Sequence, residues 1–231
     1  MKKKKSGKAL VVFSGGQDST TCLGWALNRY EEVVAITFSY GQKHCVEMEC
    51  AENICRMLKV RQKIVNIDFF GKLVNSALTS NGNVNERHKD NSELPASFVP
   101  NRNALFLTLA HAYAQKINVF DIIMGVCETD YSGYPDCRVD FIIRMQNALN
   151  AGSQSRILLS TPLMFLNKAQ IFELSHAEGV LEMVIADSHT CYNGARETKD
   201  FHLWGFGCGD CPACKLRKKG WEGYRIFSSR K

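Results

Sequence analysis

The sequence predicts an α/β fold: a parallel five-stranded sheet with helices on both faces, followed by a small C-terminal metal-binding segment. Three observations predict it. Short, nearly continuous apolar runs recur at residues 9–13, 32–38, 62–67, 119–124 and 156–160, separated by helical patterns. Buried parallel strands joined by crossover helices require that rhythm. The first run ends in Ser14-Gly15-Gly16-Gln17-Asp18-Ser19, a glycine turn that opens a helix, and four of the ten cysteines fall at or beyond position 191.

With 231 residues the chain can bury a full core. No apolar run approaches the ~20 residues of a membrane span, and the lysines at positions 2–5 precede no apolar segment with a cleavage site. That basic start reads as solvated and without regular structure. A net charge of +6 favours anionic ligands without demanding nucleic acid. Scattered and clustered thiols in a chain of this size point to a reducing, cytoplasmic setting and a metal.

The first strand, 9–13, leads through the glycine turn into a helix carrying Leu23, Ala26 and Leu27. Backbone N–H groups of such a turn and the helix N-terminus suit a phosphate or pyrophosphate, and the glycines let the main chain approach it. Ser14, Ser19, Thr20 and Thr21 add hydroxyls. The motif has neither a Walker A ending nor the dinucleotide Gly-x-Gly-x-x-Gly spacing. Taken alone, it is also compatible with an ordinary βα connection. Asp18 beside phosphates requires a divalent cation or a helix N-terminus to neutralise it, and the capping role is preferred.

The second strand, 32–38, ends in the loop 39–44, and a helix over 45–58 places Val46, Cys50, Ile54 and Met57 on one face. After the third strand, a helix over 69–78 gives way at 79–93 to a polar stretch without period, a functional lid or a disordered excursion. A strong helix covers 103–116, the fourth strand 119–124, a helix 141–149 and the fifth strand 156–160. Asn167 caps a helix over 168–178 that Gly179 ends. The βα rhythm stops near Ala186, which divides the chain into 1–186 and 187–231.

In an open parallel sheet, ligands bind beyond the C-terminal strand ends. There the loops 14–19, 39–44, 98–102 and 125–138 meet, and Lys43, Arg102 and Lys168 are the cations expected on phosphate oxygens. Arg102 is the strongest candidate, because it directly precedes a helix N-terminus. Glu128, Asp130 and Asp136, interleaved with Tyr131, Tyr134 and Arg138, form either a polar surface loop or a reader of a planar heterocycle. His44, His111 and His176 lack companions at metal or nucleophile spacing and read as structural.

Cys208, Cys211 and Cys214 place three thiols within seven residues, and Cys191 is a ready fourth ligand. Four sulfurs suit tetrahedral zinc or iron–sulfur. The run continues Lys215-Leu216-Arg217 rather than with a further Cys and Pro, which favours zinc. His189 and His202 are the substitutes if Cys191 cannot reach.

The string Ser14-Gly15-Gly16-Gln17-Asp18-Ser19 resembles the PP-loop of the N-type ATP pyrophosphatases. The similarity extends through Ser39-Tyr40-Gly41-Gln42, Phe98-Val99-Pro100-Asn101-Arg102-Asn103, the whole of 125–138, Thr161-Pro162-Leu163 and Thr190-Cys191-Tyr192-Asn193-Gly194. Over nearly its full length the chain resembles the preQ0 synthase (QueC) family. That resemblance implies a Rossmann-like, adenine nucleotide alpha hydrolase-like fold and a homodimer. It implies conversion of 7-carboxy-7-deazaguanine and ammonia to the nitrile at the expense of ATP with Mg2+, and one structural zinc on Cys191, Cys208, Cys211 and Cys214. Nucleotide would lie on Phe13, Ser14, Gly15, Gly16, Gln17, Asp18, Ser19 and Thr20, with Asp18, Lys43, Arg102 and Lys168 catalytic. The base would lie on Glu128, Asp130, Tyr131 and Asp136. Two departures stand out: Asn101 replaces the family's usual Gly, and sixteen residues separate Cys191 from Cys208, with Phe201-His202-Leu203-Trp204 inserted. A thiolating PP-loop enzyme is the alternative. A zinc-ribbon nucleic-acid module using Lys215, Arg217, Lys218 and Lys219 is the alternative of another class.

Overall fold

Alternation along the first strand decides which side chains enter which layer. In the computed structural model, which describes residues 5–80, 82–129 and 134–228, β1 spans Lys5–Val12. Leu10 and Val12 point into one core, with Val34, Ile36 and Phe38. Ala9, Val11 and Phe13 point into the other, with Val33 and Ala35. Each face of the sheet is therefore sealed by helices, as a parallel sheet requires.

The remaining strands are β2 (Tyr30–Ser39), β3 (Arg61–Asn66), β4 (Asp121–Met124) and β5 (Leu158–Ser160). They pair in parallel in the order β3-β2-β1-β4-β5. Val12 lies between Ile36 on one side and Met124 on the other. The chain thus builds outward from β1 in one direction and returns to its other edge with β4. That reversal is a topological switch point, where ligands bind beyond the carboxyl ends of the strands.

Helices α1 (Gln17–Leu27), α2 (Val46–Met57), α3 (Phe69–Leu73), α4 (Arg102–Lys116), α5 (Val139–Ser153), α6 (Lys168–Ala177), α7 (Leu181–Ala186) and α8 (Pro212–Ser228) complete the fold. Leu23, Ala26, Ile54 and Ile171 fill one core, and Phe106, Leu107, Ala110 and Ile142 the other. Asn167 caps α6 in a full capping box with Gln170, and Gly179 follows at φ +76, as expected.

The helix expected over 69–78 is shorter, ending at Leu73, because the chain turns to follow a tertiary partner. Residues 74–100 are not a disordered excursion where described. His88 is buried, its Nε2 2.6 Å from the Asn75 carbonyl and its Nδ1 accepting from Asp90 N at 3.2 Å. Ala77, Val84 and Ala96 pack against Cys191, Trp204, Cys211 and Cys214. Of the basic start, residues 1–4 lie outside the described residues, and Lys5 already belongs to β1.

Helix α8 carries Tyr224 and Trp221 onto Phe172 of α6, the Phe172 and Trp221 ring centres 5.3 Å apart. The insertion between Cys191 and Cys208 forms a two-stranded antiparallel hairpin, β6 (Phe201–His202) with β7 (Gly205–Phe206). Among the described residues, no helix is long and apolar enough to cross a membrane.

Candidate nucleotide site and cysteine cluster

The glycine turn departs from β1 at the switch point. Gly15 has φ +81, and a Cβ there would lie 2.6 Å from the Glu47 carbonyl and 2.7 Å from Ala51 N. The loop therefore rests directly on the backbone of α2, an approach open only to glycine. Ser14 and Ser19 brace each other across the turn, their hydroxyls 3.1 Å apart, and Ser19 Oγ donates to the Gly16 carbonyl at 3.1 Å. A second strand of chain clamps the loop from the C-terminal side: His189 N donates to the Gly15 carbonyl at 2.9 Å, and Gln17 N donates to Thr190 Oγ1 at 3.4 Å.

A cavity of about 280 Å3 opens above this turn. Ser14, Gly16, Gln17, Asp18, Ser19, Lys43, Arg102 and Lys168 all line it. The chain thus brings together eight of the residues expected around the nucleotide. Phe13, Gly15 and Thr20 do not line it: Phe13 is a core side chain, and the other two lie buried beneath the turn.

Asp18 stands in the first turn of α1, whose N-cap residue is Gly16, so the helix N-terminus is beside its carboxylate. Its Oδ2 also accepts from Lys168 Nζ at 2.6 Å, in an ion pair with both side chains largely covered. That pair ties α1 to α6 and places a cation and a carboxylate at the cavity floor. Arg102 enters from the start of α4, its guanidinium carbon 5.9 Å from the Tyr40 ring centre and its Nε buried without a partner among the described residues. The Gln17 amide, 1% exposed, likewise has no partner at either end. Buried polar groups without partners are rare and mark positions that water or a ligand satisfies. Lys43 sits at the rim, its Nζ donating to the Gly82 carbonyl at 2.9 Å.

The carboxylates expected to read a base divide differently. Glu128 is exposed and accepts from Val139 N at 3.2 Å, capping α5. Asp136 is buried and accepts from Asn103 N at 3.2 Å, capping α4 beside Arg102. Burial pushes its carboxyl up, and the Arg102 charge opposes that rise. Neither lines the cavity. Asp130 and Tyr131 lie outside the described residues.

The four cysteine sulfurs Cys191, Cys208, Cys211 and Cys214 all lie within 4.8 Å of one another. Two of the sulfur pairs are 4.0 Å apart, against about 3.8 Å for a tetrahedron with metal–sulfur bonds of about 2.3 Å. Sulfurs this close share hydrogen bonds, with Cys211 and Cys214 lowering the Cys191 thiol, so the four titrate as a group. The donor set fits a four-coordinate thiophilic metal. His202 is no ligand: it stacks on Trp204 at 4.4 Å, and its Nε2 lies 3.0 Å from the Gly207 carbonyl. His189 faces the Cys191 carbonyl, not the sulfurs.

A family model described as queuosine biosynthesis protein QueC matches residues 8–225. The chain belongs to the QueC family. It is 54% identical over 222 residues to a 7-cyano-7-deazaguanine synthase from Wolinella succinogenes, covering 95% of this chain and 94% of that protein. It is 50% identical to one from Helicobacter pylori strain P12, covering 94% and 95%, and 47% identical to one from Nitratidesulfovibrio vulgaris strain DP4, covering 94% and 93%. Among solved structures, a 4-thiouridine synthetase determined with RNA and ATP superposes with a TM-score of 0.50 at 18% identity. The match covers 96% of this chain and 52% of that one, and carries the fold alone.

Within this QueC-family chain the cavity takes in further residues, of which Tyr192 is expected against the site from the sequence and Glu47 is not. Glu47 lines the cavity from the first turn of α2 and His44 from the loop before it, and His189, Thr190 and Tyr192 line it from the segment that carries Cys191. Tyr192 and Tyr134 bring their hydroxyls within 3.4 Å, and Tyr134 meets Ser97 at 2.7 Å. Glu47 is raised to about 7, mainly by burial, with Arg102 opposing. Its only signal in the sequence is its place one turn beyond the 39–44 loop. The other three histidine expectations divide: His111 and His176 are held by Asn150 and Tyr224 as structural groups, while His44 reaches the site.

Proposed function

We propose that this chain converts 7-carboxy-7-deazaguanine to 7-cyano-7-deazaguanine with ATP and ammonia, as an ATP-dependent carbon–nitrogen ligase. The observation that carries the reading is the union, at the β1/β4 switch point, of the braced glycine turn with Arg102 and the Asp18–Lys168 pair in one cavity. The names of the QueC relatives supply the product, and the acid and ammonia are what the family resemblance implies for its precursors.

A carboxylate is a poor electrophile, and its adenylate a good one. The substrate carboxylate attacks the α-phosphorus, releasing pyrophosphate; ammonia displaces AMP and gives the amide. A second ATP adenylates the amide oxygen, and loss of AMP and a proton leaves the nitrile. The turn and the first-turn N–H groups of α1 hold pyrophosphate, and Arg102 and Lys168 offset charge on the transferring group. Lys43, at the rim, meets the outer phosphates. Mg2+, arriving on the triphosphate, supplies further neutralisation. Asp130 and Tyr131 are assigned to the base, since Glu128 and Asp136 serve the helices α5 and α4. The cysteine cluster holds one structural zinc, because four thiolates leave no open position for water or substrate. A cytoplasmic homodimer is the expected setting. Arg217 is 1% exposed, which breaks the basic run that a nucleic-acid module would present.

Incubation with MgATP, ammonium and 7-carboxy-7-deazaguanine, without RNA, tests this. Two AMP and two pyrophosphate per nitrile are expected. Release of ADP alone would replace adenylation by phosphoryl activation, and turnover that requires tRNA would replace the substrate.

A further inference from the structure

Arg217 is the largest fully buried side chain among the described residues, and the chemistry above does not use it. Its guanidinium is spread over three acceptors from three different segments. Nε donates to the Trp204 carbonyl at 2.7 Å, Nη2 to the Val184 carbonyl at 2.5 Å, and Nη1 to Thr190 Oγ1 at 3.0 Å. The fold makes room for it: a Cβ at Gly205 would lie 2.4 Å from Nη2. Thr190 Oγ1 receives a second N–H, from Gln17 in the first turn of α1, at 3.4 Å.

A threonine hydroxyl has two acceptor lone pairs and one hydrogen. Arg217 and Gln17 take both lone pairs, and neither can accept, one being a guanidinium and the other a backbone N–H. The hydroxyl hydrogen must therefore point elsewhere. Thr190 lines the cavity, opposite the turn that His189 N clamps through the Gly15 carbonyl.

We propose that Thr190 is a ligand-binding residue whose hydroxyl is committed as a donor to an anionic oxygen of the nucleotide or pyrophosphate, with Arg217 as the positioning residue that commits it. The site takes an oxyanion because a donor fixed in orientation before binding costs no reorganisation when the charge arrives. Arg217 does so without touching the ligand, from helix α8 behind the cysteine cluster. This rests on the nucleotide reading of the cavity.

Calorimetric binding of ATP and of inorganic pyrophosphate, without the deazaguanine acid, tests it on the metal-loaded chain. Thr190→Val keeps the shape and loses the hydroxyl; we expect a roughly tenfold or greater loss of affinity for both ligands. Thr190→Ser should stay within about twofold of wild type. Arg217→Lys, which cannot span three acceptors, should weaken binding, and the double variant Thr190→Val with Arg217→Lys should be no weaker than the worse single one. Metal content near one per chain separates these effects from loss of the cluster. Tyr224→Phe, on the same helix as Arg217, loses the contact with His176 of α6 and should lower Tm and leave ATP affinity unchanged. Equal affinity in wild type and Thr190→Val, or strict additivity of the two substitutions, overturns the inference. No ATP or pyrophosphate binding by wild type overturns the nucleotide reading instead.

Discussion

Gly15 and Gly16 are interchangeable letters in the sequence and different objects in the structure. Gly15 combines φ +81 with backbone atoms of α2 at 2.6 and 2.7 Å from a Cβ, whereas at Gly16 the nearest atom is the His189 carbonyl at 3.3 Å. Gly15→Ala should therefore cost several kcal/mol and lower Tm sharply, because backbone must move. Gly16→Ala should fold near normally and lose ATP affinity. Denaturant titration beside ATP calorimetry checks the pair; equal stability losses would contradict the asymmetry. Glu47 gives a pH signature. Its folded pKa, about 7 against an ordinary 4.5, is raised, so its contribution to stability is full below about 4.5 and lost as pH rises through 7. Glu47→Gln removes that loss. The variant's stability relative to wild type should thus improve between pH 5 and pH 8, by at most ~3 kcal/mol. A gap independent of pH would mean that Glu47 titrates normally.

At the scale of elements, strongly periodic helices and apolar strands were legible, and what escaped was set by distant partners. Asn101, the departure from the family's glycine, takes φ 58 and ψ 17 at the start of α4. Asparagine tolerates the left-handed region better than most residues, so it can hold the turn before Arg102 where a glycine would otherwise be favoured. The helix α8 was missed because Gly220 and Gly223, with five basic side chains, give its stretch the composition of a loop. Those glycines are where α8 meets α6: a Cβ at Gly220 would lie 2.4 Å from Lys168 Cβ, and one at Gly223 would lie 3.0 Å from Ala169 Cβ. Alanine is favoured over glycine inside a helix by ~1 kcal/mol, yet Gly220→Ala should destabilise, because the clash falls beside a backbone rather than at a flexible tip. It should also weaken ATP binding by shifting Lys168 away from Asp18. A higher Tm in Gly220→Ala would show that α8 can retreat without cost.

Across the whole molecule, the class of fold was legible in the rhythm of the chain, and the strand order was not, since no local signal says which edge of β1 receives β4. The cysteine spacing foretold a cluster able to pin Tyr192 and Asn193 against the nucleotide site, but not which neighbouring backbone groups would hold the turn. Cys191 follows the two residues, His189 and Thr190, that hold Gly15 and Gln17, and the cluster also anchors Ala77, Val84 and Ala96 of the 74–100 loop. Losing the metal should therefore act at three places together. Thiolates without a cation repel, so Cys211→Ser, or chelation of the wild-type chain, should lower Tm and expose 187–211 and 74–100 to protease in the same time course. ATP affinity should fall with the metal, because Cys191 itself lines the cavity and the two residues before it hold the turn. Elemental analysis of the intact chain should give one zinc and no visible absorbance, and zinc added back after chelation should restore affinity and protection together. A brown protein with iron and inorganic sulfide would assign the cluster to another chemistry. Full ATP affinity in the metal-free chain would show that the turn holds its shape without support from the cluster.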